Sequence, residues 1–165
     1  MNEFTPLKEE IIAYSKEIGI DKIGFASAHI FSELKERLIT QQKLNYQSGF
    51  EKGTIEQRTE PRRLLNSAQS IISIALAYPT KIKDQPKSKP GERRGIFSRS
   101  SWGTDYHVVL QKKLEELAQF IGENFVDFQY KIMVDTGELS DRAVAERAGI
   151  GFSGKNCSII TEEFG

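Results

Sequence analysis

A chain of 165 residues with 38% apolar and 28% charged side chains has the length and composition of one globular domain with its own core, and excludes a disordered polypeptide. Lys plus Arg and Asp plus Glu number 23 each, so there is no global basic excess of the kind that marks a general nucleic-acid binder. The single cysteine, Cys157, excludes an internal disulfide and any cluster or zinc site built from several cysteines of this chain.

No apolar run reaches bilayer length, and the start MNEFTPLKEE lacks the basic and apolar regions of a signal peptide, so no membrane contact and a cytoplasmic location are expected. Charge is unevenly spread. Between Lys81 and Arg99 seven basic residues face only Asp84 and Glu92, a local +5.

In chain order, Thr5-Pro6 predicts a helix start with Thr5 as N-cap, and Leu7, Ile11, Tyr14 and Ile18 then share one face up to Gly19. Ile23 to Ala26 reads as a short strand, and Ser32 to Gln41 as a second helix. Residues 42–60 are polar, with helical turns and loop expected; Glu60-Pro61 opens a short helix through Leu65. The run SIISIALAY, Ser70 to Tyr78, predicts a strand buried on both faces. Pro79 to Gly95 is linker-like, and Ile96 to Arg99 a brief strand. Thr104 or Asp105 caps the longest helix, ending near Gly122, with Tyr106, Leu110, Leu114, Leu117 and Ile121 on its apolar stripe.

The stretch YKIMVDTGELSDRAVAERAGIGFSGKNCSII, Tyr130 to Ile160, is the most informative. Tyr130 to Val134 reads as a strand, Glu138 to Ala148 as a helix capped by Gly149, and Cys157 to Thr161 as another strand. Asp135 then lies at the carboxyl end of a strand, the rim where open α/β sheets place their ligands. A carboxylate held there suits a proton donor; Asp in Asp-Thr-Gly is also a common turn former. Strands and helices alternate, so an α/β layered domain with a mixed sheet flanked by helices is expected. The ending strand, with no element after it, suggests a chain cut from something longer.

GIGFSGKN, Gly149 to Asn156, matches phosphate-loop patterns by letter, but the helix precedes the loop and the strand follows it. That reversed order argues against a nucleotide P-loop. His107 and Tyr106, at a helix start, are candidates for a ligand side or for structure. Arg58, Arg62 and Arg63 are able to clamp an anion or simply to face solvent. Arg142 and Arg147 are expected to pair with Asp141 or Glu146, and Cys157 to be a small core residue.

Three segments, EQRTEPRRLLNSAQSIISIALAY (Glu56 to Tyr78), SSWGTDYHVVLQKKL (Ser100 to Leu114) and VDTGELSDRAVAERAGIGFSGKN (Val134 to Asn156), together resemble the N-terminal domain of the epoxyqueuosine reductase family. The resemblance implies a nitroreductase-like α/β scaffold that holds cobalamin across residues 1–165. Ferredoxin-like [4Fe-4S] and helical-repeat domains follow it in that family and are not part of this chain. It further implies an oxidoreductase that converts epoxyqueuosine to queuosine in tRNA, fed by an external electron donor, with this piece inactive by itself. Asp135 matches the family's proton donor and lies at the cobalamin. Arg58 matches a cobalamin-contacting position, with Ser98 and Ile159 reaching the cofactor through backbone atoms. Tyr106, His107 and Arg142 fall on the substrate side, and the basic segment is a candidate for tRNA phosphates or a solvated loop. The alternatives are a related corrinoid- or flavin-dependent reductase of another substrate, and a corrinoid-binding module without catalysis.

Overall fold

Apolar side chains at helical spacing on two helices distant in sequence meet in one cluster, and that cluster sets the frame for the rest. In the computed structural model, which describes residues 4–78, 87–95 and 97–165, helix α1 (Phe4–Glu17) packs against α4 (Tyr106–Gly122). Ile11 and Ile20 are buried with Leu117 and Ile121, and Tyr14 stacks on Phe120 with ring centroids 4.2 Å apart. α1 begins at Phe4, and the side chain of Thr5, expected as its cap, lies outside the described residues. Asp105 does cap α4, its carboxylate accepting the His107 N–H at 2.9 Å.

Two strands line this helical pair. β1 (Lys22–Ser27) and β2 (Ser70–Ala75) are antiparallel, with Lys22 opposite Ala75 and Ser27 opposite Ser70. Phe25, Ile72 and Ile74 pack into the α1/α4 cluster. β2 was expected to be covered on both faces, yet its residues are mostly half-buried and all border a cavity. A strand pair has too few neighbours to cover such an apolar run.

A second cluster joins Phe31, which precedes α2 (Ser32–Lys43), to Leu139 and to Val144 of α5 (Asp141–Arg147). α5 reaches the sheet because position 24 has no side chain. A Cβ on Gly24 would lie 2.2 Å from the Ala148 carbonyl oxygen. Arg147 then fastens the helix, donating from Nη1 to the His29 carbonyl at 2.6 Å and from Nη2 to that of Ile30 at 3.1 Å. Its guanidinium also lies 3.3 Å from the centroid of the Phe31 ring. The ion pair expected along α5 is thus replaced by backbone carbonyls and an aromatic face, which a planar five-donor group satisfies together.

Residues 42–60 hold one clear element, α3 (Ile55–Thr59), opened by a reciprocal capping box between Thr54 and Gln57. The helix expected from Pro61 is a single 3-10 turn, Pro61–Arg63. Much of Pro79 to Gly95, and Ile96 of the brief strand expected there, lie outside the described residues; Arg99–Ser101 form a 3-10 turn.

Two differences concern the informative stretch. Tyr130 to Val134 lines the cavity but joins no ladder among the described residues. The helix is shorter than expected, Asp141–Arg147, ending at Gly149 with φ +75°. Beyond it, β3 (Phe152–Ser153) in the glycine-rich loop pairs with β4 (Ile159–Ile160), all that forms of the strand expected from Cys157 to Thr161, in a small antiparallel hairpin. A Cβ at Gly151 would fall 2.3 Å from the Ile160 carbonyl oxygen, so that glycine serves the hairpin and not a phosphate. Cys157, expected in the core, is exposed at φ +65°. The architecture is therefore helices with two small antiparallel strand pairs among the described residues.

Candidate active site

Asp135 follows the segment 130–134 that lines the cavity, and its backbone is left-handed, φ +54°. A non-glycine residue in that region costs about 1–3 kcal/mol and persists only where its surroundings hold it. One contact fixes the side chain and another the backbone. The Tyr106 O–H donates to Asp135 Oδ2 at 2.9 Å, and the Asp135 backbone N–H donates to Asp141 Oδ2 at 3.0 Å. His107 Nε2 stands 3.4 Å from the same Oδ2.

Neighbouring positions on a helix point about 100° apart, so two successive residues seldom serve one carboxylate. Here the helix start permits it. Asp105, just outside α4, binds both the backbone N–H of His107 and its Nδ1, the latter at 2.7 Å. The imidazole is drawn back over Tyr106, the two rings stacking with centroids 4.1 Å apart.

These contacts shift the protonation equilibria. The bond to Asp105 raises His107 above its ordinary value; partial desolvation of the ring opposes this, and Asp135 adds to it. The Tyr106 hydroxyl is pushed up, first by its bond to Asp135. Asp105 is held low by the His107 N–H and then by the ring. Asp141 rises, mainly because its carboxyl is desolvated, although the residue as a whole is exposed; the Asp135 N–H opposes this and the Asp135 carboxylate adds to it.

The cavity that these groups border has a volume of about 1270 Å³. Its walls are β2, residues 130–134 and the apolar face of α4, while Arg99, Tyr106, Asp135, Asp141 and Arg142 supply polar groups. The Asp135 side chain is 61% exposed, at the rim of the cavity. Among the described residues, no three His, Cys, Asp or Glu side chains are grouped to hold a metal ion. No described helix is long and apolar enough to cross a membrane.

The expected site residues separate into two groups. Asp135, Tyr106 and His107 converge, and Arg142 and Ile159 line the same cavity. Arg58 and Ser98 are not among its lining residues. Arg58 lies in the last turn of α3, where its carbonyl receives the Ser140 N–H at 3.4 Å. Ser98 turns inward on its own loop, with its Oγ 2.9 Å from that of Ser100. Sequence reasoning assigned no role at the site to Asp105 or to Asp141. A capping aspartate two residues before a histidine was the legible signal for the first; nothing local signalled the second.

A sequence model of the family described as epoxyqueuosine reductase QueG, DUF1730, matches residues 58–136. The epoxyqueuosine reductase of Bacillus anthracis is 67% identical over 163 residues, which are 99% of this chain and 43% of that relative. Over nearly its whole length the chain is similar to the epoxyqueuosine reductase family. Among solved structures, an epoxyqueuosine reductase bound to an epoxyqueuosine-modified stem loop of tyrosine tRNA superposes with a TM-score of 0.87 at 60% identity, covering 97% of this chain and 42% of that one. A structure of the Bacillus subtilis epoxyqueuosine reductase, in which an aspartate-bearing catalytic loop is swung out of the active site, has a TM-score of 0.84 at 58% identity over 94% of this chain and 41% of that one. The chain thus spans less than half the length of the relatives it matches.

Proposed function

We propose that the chain is the N-terminal part of a cytoplasmic enzyme that reduces epoxyqueuosine to queuosine in tRNA, on a nitroreductase-type layered scaffold completed by further domains. The observation that carries the reading is the Asp135 carboxylate, bonded by Tyr106 and approached by His107 at the rim of a large apolar cavity. Two relatives support it: one was solved with an epoxyqueuosine-modified stem loop, the other with a catalytic loop that bears an aspartate.

Removing the epoxide oxygen as water, to leave an alkene, consumes two electrons and two protons. Cobalamin, when bound, supplies the reducing chemistry, with electrons arriving through [4Fe-4S] clusters of the remaining chain from an external donor. The residues present fit such a group. The cavity is apolar, and the described side chains offer no ligand set of their own, which suits a cofactor that carries its metal within a macrocycle. Asp135 and Ile159, which line the cavity, would hold it together with Arg58 and Ser98 from the flanking segments.

This chain's own contribution is the proton. An alkoxide leaves poorly unless protonated as its bond to carbon breaks. Asp135 donates that proton, and the Tyr106 hydroxyl on its Oδ2 orients the carboxyl toward the cavity. His107, kept protonated to higher pH by Asp105, returns a proton to Asp135 between turnovers. Arg142 contacts the substrate, and the basic residues between Lys81 and Arg99 meet tRNA phosphates.

The test is Asp135→Asn in the full-length enzyme. Cobalamin absorbance should persist, while epoxide reduction falls by about 10²–10⁴ or more, as loss of a general acid requires. Turnover at the unmutated rate would remove Asp135 from the mechanism.

A further inference from the structure

The Tyr106 bond fixes the side chain of Asp135, but it does not explain why the backbone stays left-handed. That backbone has one hydrogen bond from its N–H, and its partner is Asp141 Oδ2 at 3.0 Å. Asp141 opens α5, where an aspartate ordinarily serves the helix it begins. Its carboxylate instead turns back six residues to position 135.

The post that carries Asp141 is firm. Val144, one turn on, is buried against Phe31 and Leu139, and Arg147 ties the same helix to the His29 and Ile30 carbonyls. Ser140, just before it, donates its N–H to the Arg58 carbonyl. Asp141 therefore offers an acceptor fixed by the core to a residue whose conformation is intrinsically unfavourable.

Resting on the assignment of Asp135 as the proton donor, we propose that Asp141 is its positioning residue: it accepts the Asp135 N–H, holds residue 135 left-handed, and thereby aims the acid into the cavity. What the role demands is an oxygen acceptor, not a negative charge. A carboxyl oxygen accepts that N–H whether the group is ionised or not. A side chain with a neutral oxygen in the same place should then do the same work.

The test uses three variants of the full-length enzyme. Asp141→Ala and Asp141→Ser remove an acceptor that reaches position 135, while Asp141→Asn keeps an amide oxygen there. With an epoxyqueuosine-modified tRNA stem loop as substrate, kcat should fall about tenfold in the first two, the loss expected for one hydrogen bond. KM should stay within about twofold, and Asp141→Asn within about threefold of wild type in kcat. Amide deuterium exchange of the peptide containing Asp135, read by mass spectrometry, should be about tenfold faster in Asp141→Ala and Asp141→Ser only.

Unchanged kcat and exchange in those two variants would overturn the proposal, as would a change in only one of the two readouts. So would Asp141→Asn behaving like Asp141→Ala, which would make charge the operative property. Failure of both Asp141→Ala and Asp141→Ser to fold would assign the residue to the fold and overturn it too. A wild-type enzyme that does not reduce the epoxide sinks the functional reading instead, and the exchange comparison then decides alone whether Asp141 holds the loop.

Discussion

The α1/α4 side and the Asp135 rim are built from the same kinds of element, yet they are held by opposite means. On the first, Leu117 is 2% exposed and its neighbours on both helices exclude water, so non-directional burial does the holding. On the second, side chains are half-open, and Asp135 keeps its geometry through individual bonds to Tyr106 and Asp141. Burial tolerates small displacements of the groups involved; a proton donor does not. Directional bonds on an open rim place an acid accurately while leaving it accessible.

Substitutions on the two sides should therefore fail differently. The largest stability loss is expected for Leu117→Ala, about 2–5 kcal/mol from lost burial and the cavity left behind, measured by urea unfolding. A loss below about 1 kcal/mol would mean that the α1/α4 core is not where the fold is held. Gly24→Ala comes next. Its Cβ would press on the Ala148 carbonyl, and the expected cost is about 1–3 kcal/mol, with α5 displaced and the 135–141 bond weakened. It is the one change that should damage both sides at once.

On the rim, Tyr106→Phe should leave unfolding within about 1 kcal/mol of wild type, because the residue is exposed and the ring is retained. It should lower kcat of the full-length enzyme by about tenfold through a misdirected acid, a loss comparable to one hydrogen bond. Equal loss of stability and rate would blur the division between the two sides.

The smallest effect is a titration. Asp105→Asn removes the main cause of the raised His107 value, so the imidazole should return toward its ordinary 6.5, followed by the Cε1 proton in NMR. The sign of the linkage follows from the directions. His107, raised, contributes stability fully below 6.5 and loses it as pH climbs through its raised value. Asp105, lowered, contributes above its ordinary 3.8 and loses it as pH falls through its lowered value. The pair is thus favourable across the interval between, and an unmoved His107 titration in the variant would show the bond to be idle.

Local pattern made several features legible. Apolar spacing gave α1 and α4 with their buried faces, Asp105 gave a cap, and Gly149 gave a helix end. Asp135 was singled out because an apolar run breaks there into Asp-Thr-Gly, and the motifs around it carried the family resemblance. Other readings erred where local letters could not know their surroundings. Cys157 looks like a core residue but sits at the tip of a hairpin, and Arg147 looks like an ion-pair partner but finds three backbone carbonyls and an aromatic ring.

Sequence alone settled the three longest helices, α1, α2 and α4, and which aspartate ends the apolar run, because both depend on neighbours a few positions away along the chain. Only the tertiary structure decided that Tyr106, His107 and Asp141 meet at that aspartate, since those contacts join α4, the 135 loop and α5 through space. It also decided that Tyr130 to Val134 would lie beside a cavity and join no ladder among the described residues: a strand is completed by its partner, and its own residues cannot supply one.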